Sequence, residues 1–195
     1  MTLTITKPRS ELYADSPAAY RDALQIDADT SAKPFGSIMD PWQRRDFETM
    51  DAAWLRLAGK QTNGGLSRAY LERPRGPSKT SDLAVMAVWA LLFANRPIRG
   101  LAAAADRDQA RLLRDAVKRL TQLNPWIGEI IDVQNYRVVN IQTESELTII
   151  SNDVASSWGP LVDFVVCDEL CHWEREELWH SLLSTAAKKA HCLLL

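Results

Sequence analysis

Eleven residues, LAVMAVWALLF at Leu83–Phe93, constrain this chain more than any other stretch. They carry no charge and no polar stripe. The run is too short for a membrane span, which needs about 18–20 apolar residues. Its composition and the polar SKTSD before it predict a helix from about Ser78 to Phe93. A helix that is apolar all round cannot lie on a surface and has to be buried, here against a sheet.

The flanking sequence supplies that sheet. LSRAYLER (Leu66–Arg73) reads as a strand before the helix, and IRGLAAAA (Ile98–Ala105) as one after it. DRDQ then offers a cap, Asp106 with Gln109 three residues on. The helix that follows turns Leu113, Ala116, Val117, Leu120 and Leu123 inward. Tyr136–Ile141 and Leu147–Ser151 read as paired strands. VDFVVCDE is a short apolar run of the kind found in buried parallel strands. A helix at Glu174–Ala187 follows, and AHCLLL opens a further strand in which the sequence stops. Upstream, Asp40 can cap a helix, Pro41 suits its first position and Gly59 its exit. Phe47, Met50, Trp54 and Leu57 share one face of it. Residues 1–39 are mixed, with a short helical piece near Pro17–Gln25. Strand and helix alternate, so the expected fold is α/β, with a mostly parallel sheet flanked by helices. In such sheets ligands gather at the carboxyl ends of the strands.

The totals exclude little more. With 46% apolar residues and a net charge of −2, the 195-residue chain is expected to be a soluble globular protein. The start, MTLTITKPRSEL, lacks the apolar core of a secretory signal. Three cysteines, an odd number in apolar surroundings, fit a reducing compartment. The charge balance shows no global footprint for nucleic acid, although totals hide any local basic face.

Two places carry candidate chemistry. The turn before the apolar helix runs Arg73-Pro74-Arg75-Gly76-Pro77-Ser78-Lys79-Thr80. A phosphate-binding loop reads G-x-x-x-x-G-K-[ST]. Both of its glycines are replaced here, and Gly76 lies inside the loop. A strand before and a helix starting at Lys79 would aim free backbone N–H groups at an anion. Lys79 would then reach outer phosphates, and the Thr80 hydroxyl would hold Mg²⁺. The ordinary alternatives are a solvated lysine and a plain helix cap. The second place is Asp168-Glu169 at the end of FVVC. A nucleotide hydrolase needs one acid there for Mg²⁺ and often another to orient water.

Together these stretches resemble the ATPase part of phage terminase large subunits, the DNA-packaging motors. DPWQ at Asp40–Gln43 resembles their adenine-binding glutamine motif, and LERPRGPSKTSD their deviant phosphate loop, with an arginine, Arg75, four residues before the lysine. AAAADRDQARLL resembles the strand-to-helix segment after the loop, and SNDVASSWGPLVDFVVCDELCHWE the approach to the acid pair with its DE-L-x-x-W ending. The resemblance implies an ASCE-type P-loop sheet in residues 40–195, with 1–39 as an N-terminal extension. It implies ATP and Mg²⁺ as ligands. Gln43 would contact adenine, while Gly76, Ser78, Lys79 and Thr80 would bind the phosphates and, through Thr80, Mg²⁺. Arg75 would act on the γ-phosphate, Asp168 would support Mg²⁺ and Glu169 would activate water. Double-stranded viral DNA, portal protein, a small terminase subunit and a homo-oligomeric ring are the implied partners, in the cytoplasm of a bacterial host.

The sequence departs from the family at Pro77, which has no N–H to give a phosphate. The family's coupling motif and nuclease domain would follow the last strand, so the expectation is an ATPase part incomplete at its C-terminus, better suited to binding than to turnover. Another P-loop motor, such as a helicase, or a non-enzymatic prophage remnant would share parts of this pattern. Cys167, Cys171 and His172 lack a second ligand pair at zinc spacing. The seven tryptophans fall mostly at core-facing positions, and RLLRDAVKR reads as a solvated helix face.

Overall fold

A computed structural model describes residues 9–28, 31–73, 78–151, 161–174 and 176–195. The chain begins with α1 (Arg9–Ala14) and α2 (Pro17–Ala23), a small antiparallel pair of β1 (Gln25–Ile26) and β2 (Lys33–Pro34), and the single turn α3 (Phe35–Ile38). Next come α4 (Pro41–Leu57), α5 (Lys79–Phe93), β3 (Arg99–Ala104), α6 (Arg107–Leu123) and the short α7 (Pro125–Gly128). Then follow β4 (Ile131–Val133), β5 (Arg137–Asn140), β6 (Glu146–Ser151), β7 (Phe164–Cys167), α8 (Glu176–Ala187) and β8 (Leu193–Leu194).

Six strands form one sheet in the order β4-β5-β6-β3-β7-β8. The four from β6 to β8 run parallel, and β5 and β4 extend the sheet antiparallel. This is the expected α/β architecture. Alternation along the central strands divides two cores. Ala102, Ala104, Phe164 and Val166 face the main core with α4, α5 and α6, whereas Leu101, Ala103 and Val165 face a smaller one under α8. Gly100 is required here, because a Cβ on it would come within 2.1 Å of the Phe164 ring, which stands edge-on to Trp54 at 5.6 Å.

The apolar run behaves as its composition demands. Every residue of α5 from Asp82 to Leu91 is buried. It packs on β5 and β6 and is enclosed by α1, α2, α4 and α6. On α4, Phe47, Met50, Trp54 and Leu57 are all buried, as their spacing predicts. Gly59 leaves that helix with φ +74°, a left-handed exit that glycine adopts without strain. Asp106 caps α6, accepting from the N–H groups of Asp108 and Gln109, both at 2.8 Å. Tyr13, Tyr20, Leu24 and Phe35 from the first forty residues join the main core.

Two strand expectations change. Leu66–Arg73 is extended but pairs only around Arg68, opposite Leu194. Leu194 donates to the Ser67 carbonyl and Ala69 to the Leu194 carbonyl, each at 2.9 Å. The ladder stops there because β8 is two residues long, and because the Arg56 guanidinium holds the carbonyls of Gly64, Gly65 and Leu66 against α4. The extended segment therefore lies beyond β8, two places from β7. β1, β2 and β4 are strands that periodicity did not reveal, since two or three residues are too few to show a pattern.

Candidate functional site

The turn into α5 and the turn out of β7 meet at the carboxyl end of the sheet. Thr80 Oγ1 donates to Asp168 Oδ2 at 2.6 Å, a contact between residues 88 positions apart. Each partner is placed by its own element. Thr80 lies in the first turn of α5, whose opening bond runs from the Asp82 N–H to the Ser78 carbonyl at 2.8 Å. Asp168 continues the β7 ladder by donating its N–H to the Ala103 carbonyl at 2.9 Å.

Both turns hold non-glycine residues in the left-handed region, Ser78 with φ 56° and Glu169 with φ 49°. Such conformations are costly and persist where surrounding contacts over-determine them. At Glu169 those contacts are visible. The Trp173 indole N–H donates to the Asp168 carbonyl at 3.0 Å, and the His172 N–H to the Glu169 carbonyl at 2.8 Å. Burial pushes the Asp168 carboxyl above the usual carboxylate range; the Thr80 hydroxyl pulls it down, and the neighbouring Glu169 charge adds to the rise. Lys79, Asp168 and Glu169 border one cavity of about 560 Å³. Lys79 Nζ donates to the Arg73 carbonyl at 3.4 Å. A hydroxyl and a buried carboxylate in contact are hard oxygen donors, and that donor set fits Mg²⁺.

A second group ties the turn to α4. Asp82, buried in the first turn of α5, accepts from Arg73 Nη1 at 2.7 Å and from Gln43 Nε2 at 3.1 and 3.2 Å. Arg73 also reaches Asp46 at 2.8 Å, with its guanidinium 4.6 Å from the Trp42 ring centre. Gln43 Nε2 is 2.9 Å from Ser78 Oγ, and Gln43 Oε1 accepts the Asp40 N–H at 3.0 Å. Burial raises the Asp82 carboxyl, opposed by its bonds to Arg73, Gln43 and Ser78. The two ends of the loop, Arg73 and Ser78, are thus fastened to the same carboxylate.

Of the residues singled out in the sequence, Gln43, Ser78, Lys79, Thr80, Asp168 and Glu169 converge here. Arg75, Gly76 and Pro77 lie outside the described residues. Asp82, Arg73 and Trp173 join the site without having been assigned a part in it. Asp82 stands four residues after Ser78, one helical turn on, and that spacing was the available signal. Cys167 sits in β7, where burial pushes its thiol up to about 12.

Over residues 44–195 the sequence matches the family described as terminase large subunit, ATPase domain. The chain belongs to this family. Among solved structures, the HK97 bacteriophage large terminase superposes with a TM-score of 0.70 at 16% identity, over 95% of this chain and 37% of that one. The ATPase domain of the large terminase of Thermus phage P74-26 gives 0.54 at 19% identity, over 77% of this chain and 67% of that one. At these identities the shared property is the fold. No curated protein matches. This terminase ATPase chain spans 37% of the length of its HK97 counterpart. Among the described residues no helix is long and apolar enough to cross a membrane.

Proposed function

We propose that this terminase ATPase chain binds ATP with Mg²⁺ at the Ser78–Thr80 turn, and that its hydrolysis in the complete large subunit drives double-stranded DNA into a viral procapsid. The observation that carries this reading is the Thr80–Asp168 contact. It joins the end of the loop to the acid of a distant strand, with Lys79 and Glu169 on the same cavity. Lys79, Ser78 and Thr80 take the phosphates, with Gly76 in the loop before them. Thr80 and Asp168 hold the metal, whose positive charge would offset the charge growing on the phosphates. Glu169 accepts a proton from the attacking water. Arg75 acts on the γ-phosphate, and Gln43 faces adenine. The ATPase domain runs from 40 to 195, and residues 1–39 are an N-terminal extension, of which Tyr13, Tyr20, Leu24 and Phe35 pack into the main core. A portal protein, a small terminase subunit and further copies of the chain in a ring are the partners, in the cytoplasm of a bacterial host.

Calorimetry with ATP and Mg²⁺ tests the site. Lys79→Ala should remove most of the affinity, and unchanged binding by that variant would sink the assignment. Arg75→Ala should leave ADP binding nearly intact while turnover falls by roughly 10³–10⁵. Equal losses for ADP and ATP binding would make Arg75 structural.

A further inference from the structure

The side-chain amide of Gln43 is held in one orientation by neighbours that each act in one direction. The Asp40 backbone N–H can only donate, and it meets Oε1 at 3.0 Å. The Asp82 carboxylate can only accept when ionised, and it takes Nε2 at 3.1 and 3.2 Å. Gln43 is 6% exposed, so little water reaches it to offset a mismatch. Turning the amide over would set donor against donor and acceptor against acceptor at a dry site, which is costly.

Counting bonds shows what is left. The amide has two N–H hydrogens and about two lone pairs on its oxygen. Asp82 and Ser78 Oγ are the two acceptors at Nε2. Ser78 can accept because its own hydroxyl points to Asp82 Oδ2, at 3.5 Å. Asp40 uses one lone pair of Oε1. Among the described residues, Gln43 has therefore spent its donors and keeps one acceptor site. It borders a second cavity of about 430 Å³, whose walls join apolar Phe35, Ile38, Val85 and Leu120 to the Asp27–Arg119 ion pair. A flat heteroaromatic ring suits such walls.

We propose that Asp82 and Ser78 set base specificity, by holding Gln43 as an acceptor-only amide that takes the exocyclic amino group of adenine and turns away the carbonyl oxygen of guanine. This rests on the reading above, that the base of the bound nucleotide lies toward Gln43. A guanine oxygen brought to Oε1 would leave two buried acceptors facing each other. Asp82 is a positioning residue here, and it touches no part of the nucleotide.

Dissociation constants for ATP, GTP and ITP, measured by calorimetry with Mg²⁺, test this on the wild type, Asp82→Asn, Ser78→Ala and Gln43→Ala. Hypoxanthine in ITP carries the same ring oxygen as guanine without its amino group. The wild type should prefer ATP by roughly tenfold or more, the worth of one buried hydrogen bond made or refused. Asp82→Asn removes the charged acceptor at Nε2 and leaves the Asp40 N–H alone to resist a turn of the amide, and Ser78→Ala frees one of its hydrogens, so each should bring the preference toward unity. A merely structural role would weaken all three nucleotides equally and leave the ratio unmoved; that result overturns the inference. So does a preference that falls in Gln43→Ala alone. Circular dichroism checks folding, and if Asp82→Asn is unfolded, Ser78→Ala decides. A folded wild type that binds none of the three overturns the proposed function and this inference with it. ATP binding with an unmoved preference overturns the inference alone.

Discussion

Strand β7 has a buried aspartate at each end, and the two live under opposite conditions. Asp163 just before it is 4% exposed, and Asp168 just after it is 6% exposed. Asp163 accepts from Arg96 at 2.5 Å, from the Arg99 backbone N–H at 2.9 Å and from Lys189. Burial alone would raise its carboxyl, but Arg96 and Lys189 outweigh that and hold it below the usual range. Asp168 stands above that range because burial, helped by the neighbouring Glu169 carboxylate, outweighs the Thr80 hydroxyl and the more weakly acting Lys79. Burial is nearly equal at both ends, so burial does not distinguish the two acids. What differs is the company: the amino end is bonded to two cations, Arg96 and Lys189, whereas the carboxyl end is bonded to a neutral hydroxyl and feels Lys79 only through space. The first arrangement holds a sheet together. The second leaves an unfavourable charge that a metal ion would relieve in the proposed site.

The largest effect that would sharpen this contrast is at the carboxyl end. In the complete large subunit Glu169→Gln keeps the shape and removes the proposed base, so steady-state phosphate release should fall by about 10²–10⁴ while ATP binding persists. A variant that turned over at the wild-type rate would place the base elsewhere. At the amino end the effect should fall on stability instead. Asp163→Ala should cost about 2 kcal/mol in a urea titration, because a carboxylate bonded to two cations and a backbone N–H is lost, while the half-exposed Arg96 recovers some hydration. A cost near zero would break the comparison. Asp168→Asn should have the opposite sign, since it removes a buried charge and its repulsion with Glu169. A gain of about 1 kcal/mol is expected, raising the melting temperature by roughly 2–4 °C, together with loss of Mg²⁺-dependent nucleotide binding.

The smallest effect is in pH. The Asp163 carboxyl is depressed on folding, so its stabilisation is complete above the unfolded value, about 3.9, and is lost as pH falls through the lower folded value. The stability gap between wild type and Asp163→Asn should therefore be constant near neutrality and close below about pH 4. A gap that instead closed on raising the pH from 5 to 8 would show that the ion pairs are not its source.

The parts of this protein that were legible in its sequence are those set by neighbours along the chain. The burial of Leu83–Leu91 follows from an apolar run with no polar face, and the α4 stripe from its period. Thr80 and Asp168 could be paired in advance because each carries a local signature, one at a helix start and one at a strand end. Asp82 could not. It reads as one more polar residue in SKTSD, and its importance comes from Gln43 and Arg73, which lie outside that stretch and close on it only in the folded chain. The strand expected at Leu66–Arg73 failed for a similar reason. Its length is limited by a two-residue partner at the far end of the sequence and by Arg56 pulling on its start.

The bond from the Trp173 indole to the carbonyl between Asp168 and Glu169 has an optical consequence. Indole emission shifts in colour and intensity with the polarity and bonding around its N–H. Trp173 packs against the small core under α8, and its nitrogen bonds the one peptide that links the two acids. A difference spectrum between the wild type and Trp173→Phe would isolate that single emitter. The turn of the acid pair then becomes visible in real time, without a label, whenever that peptide rotates.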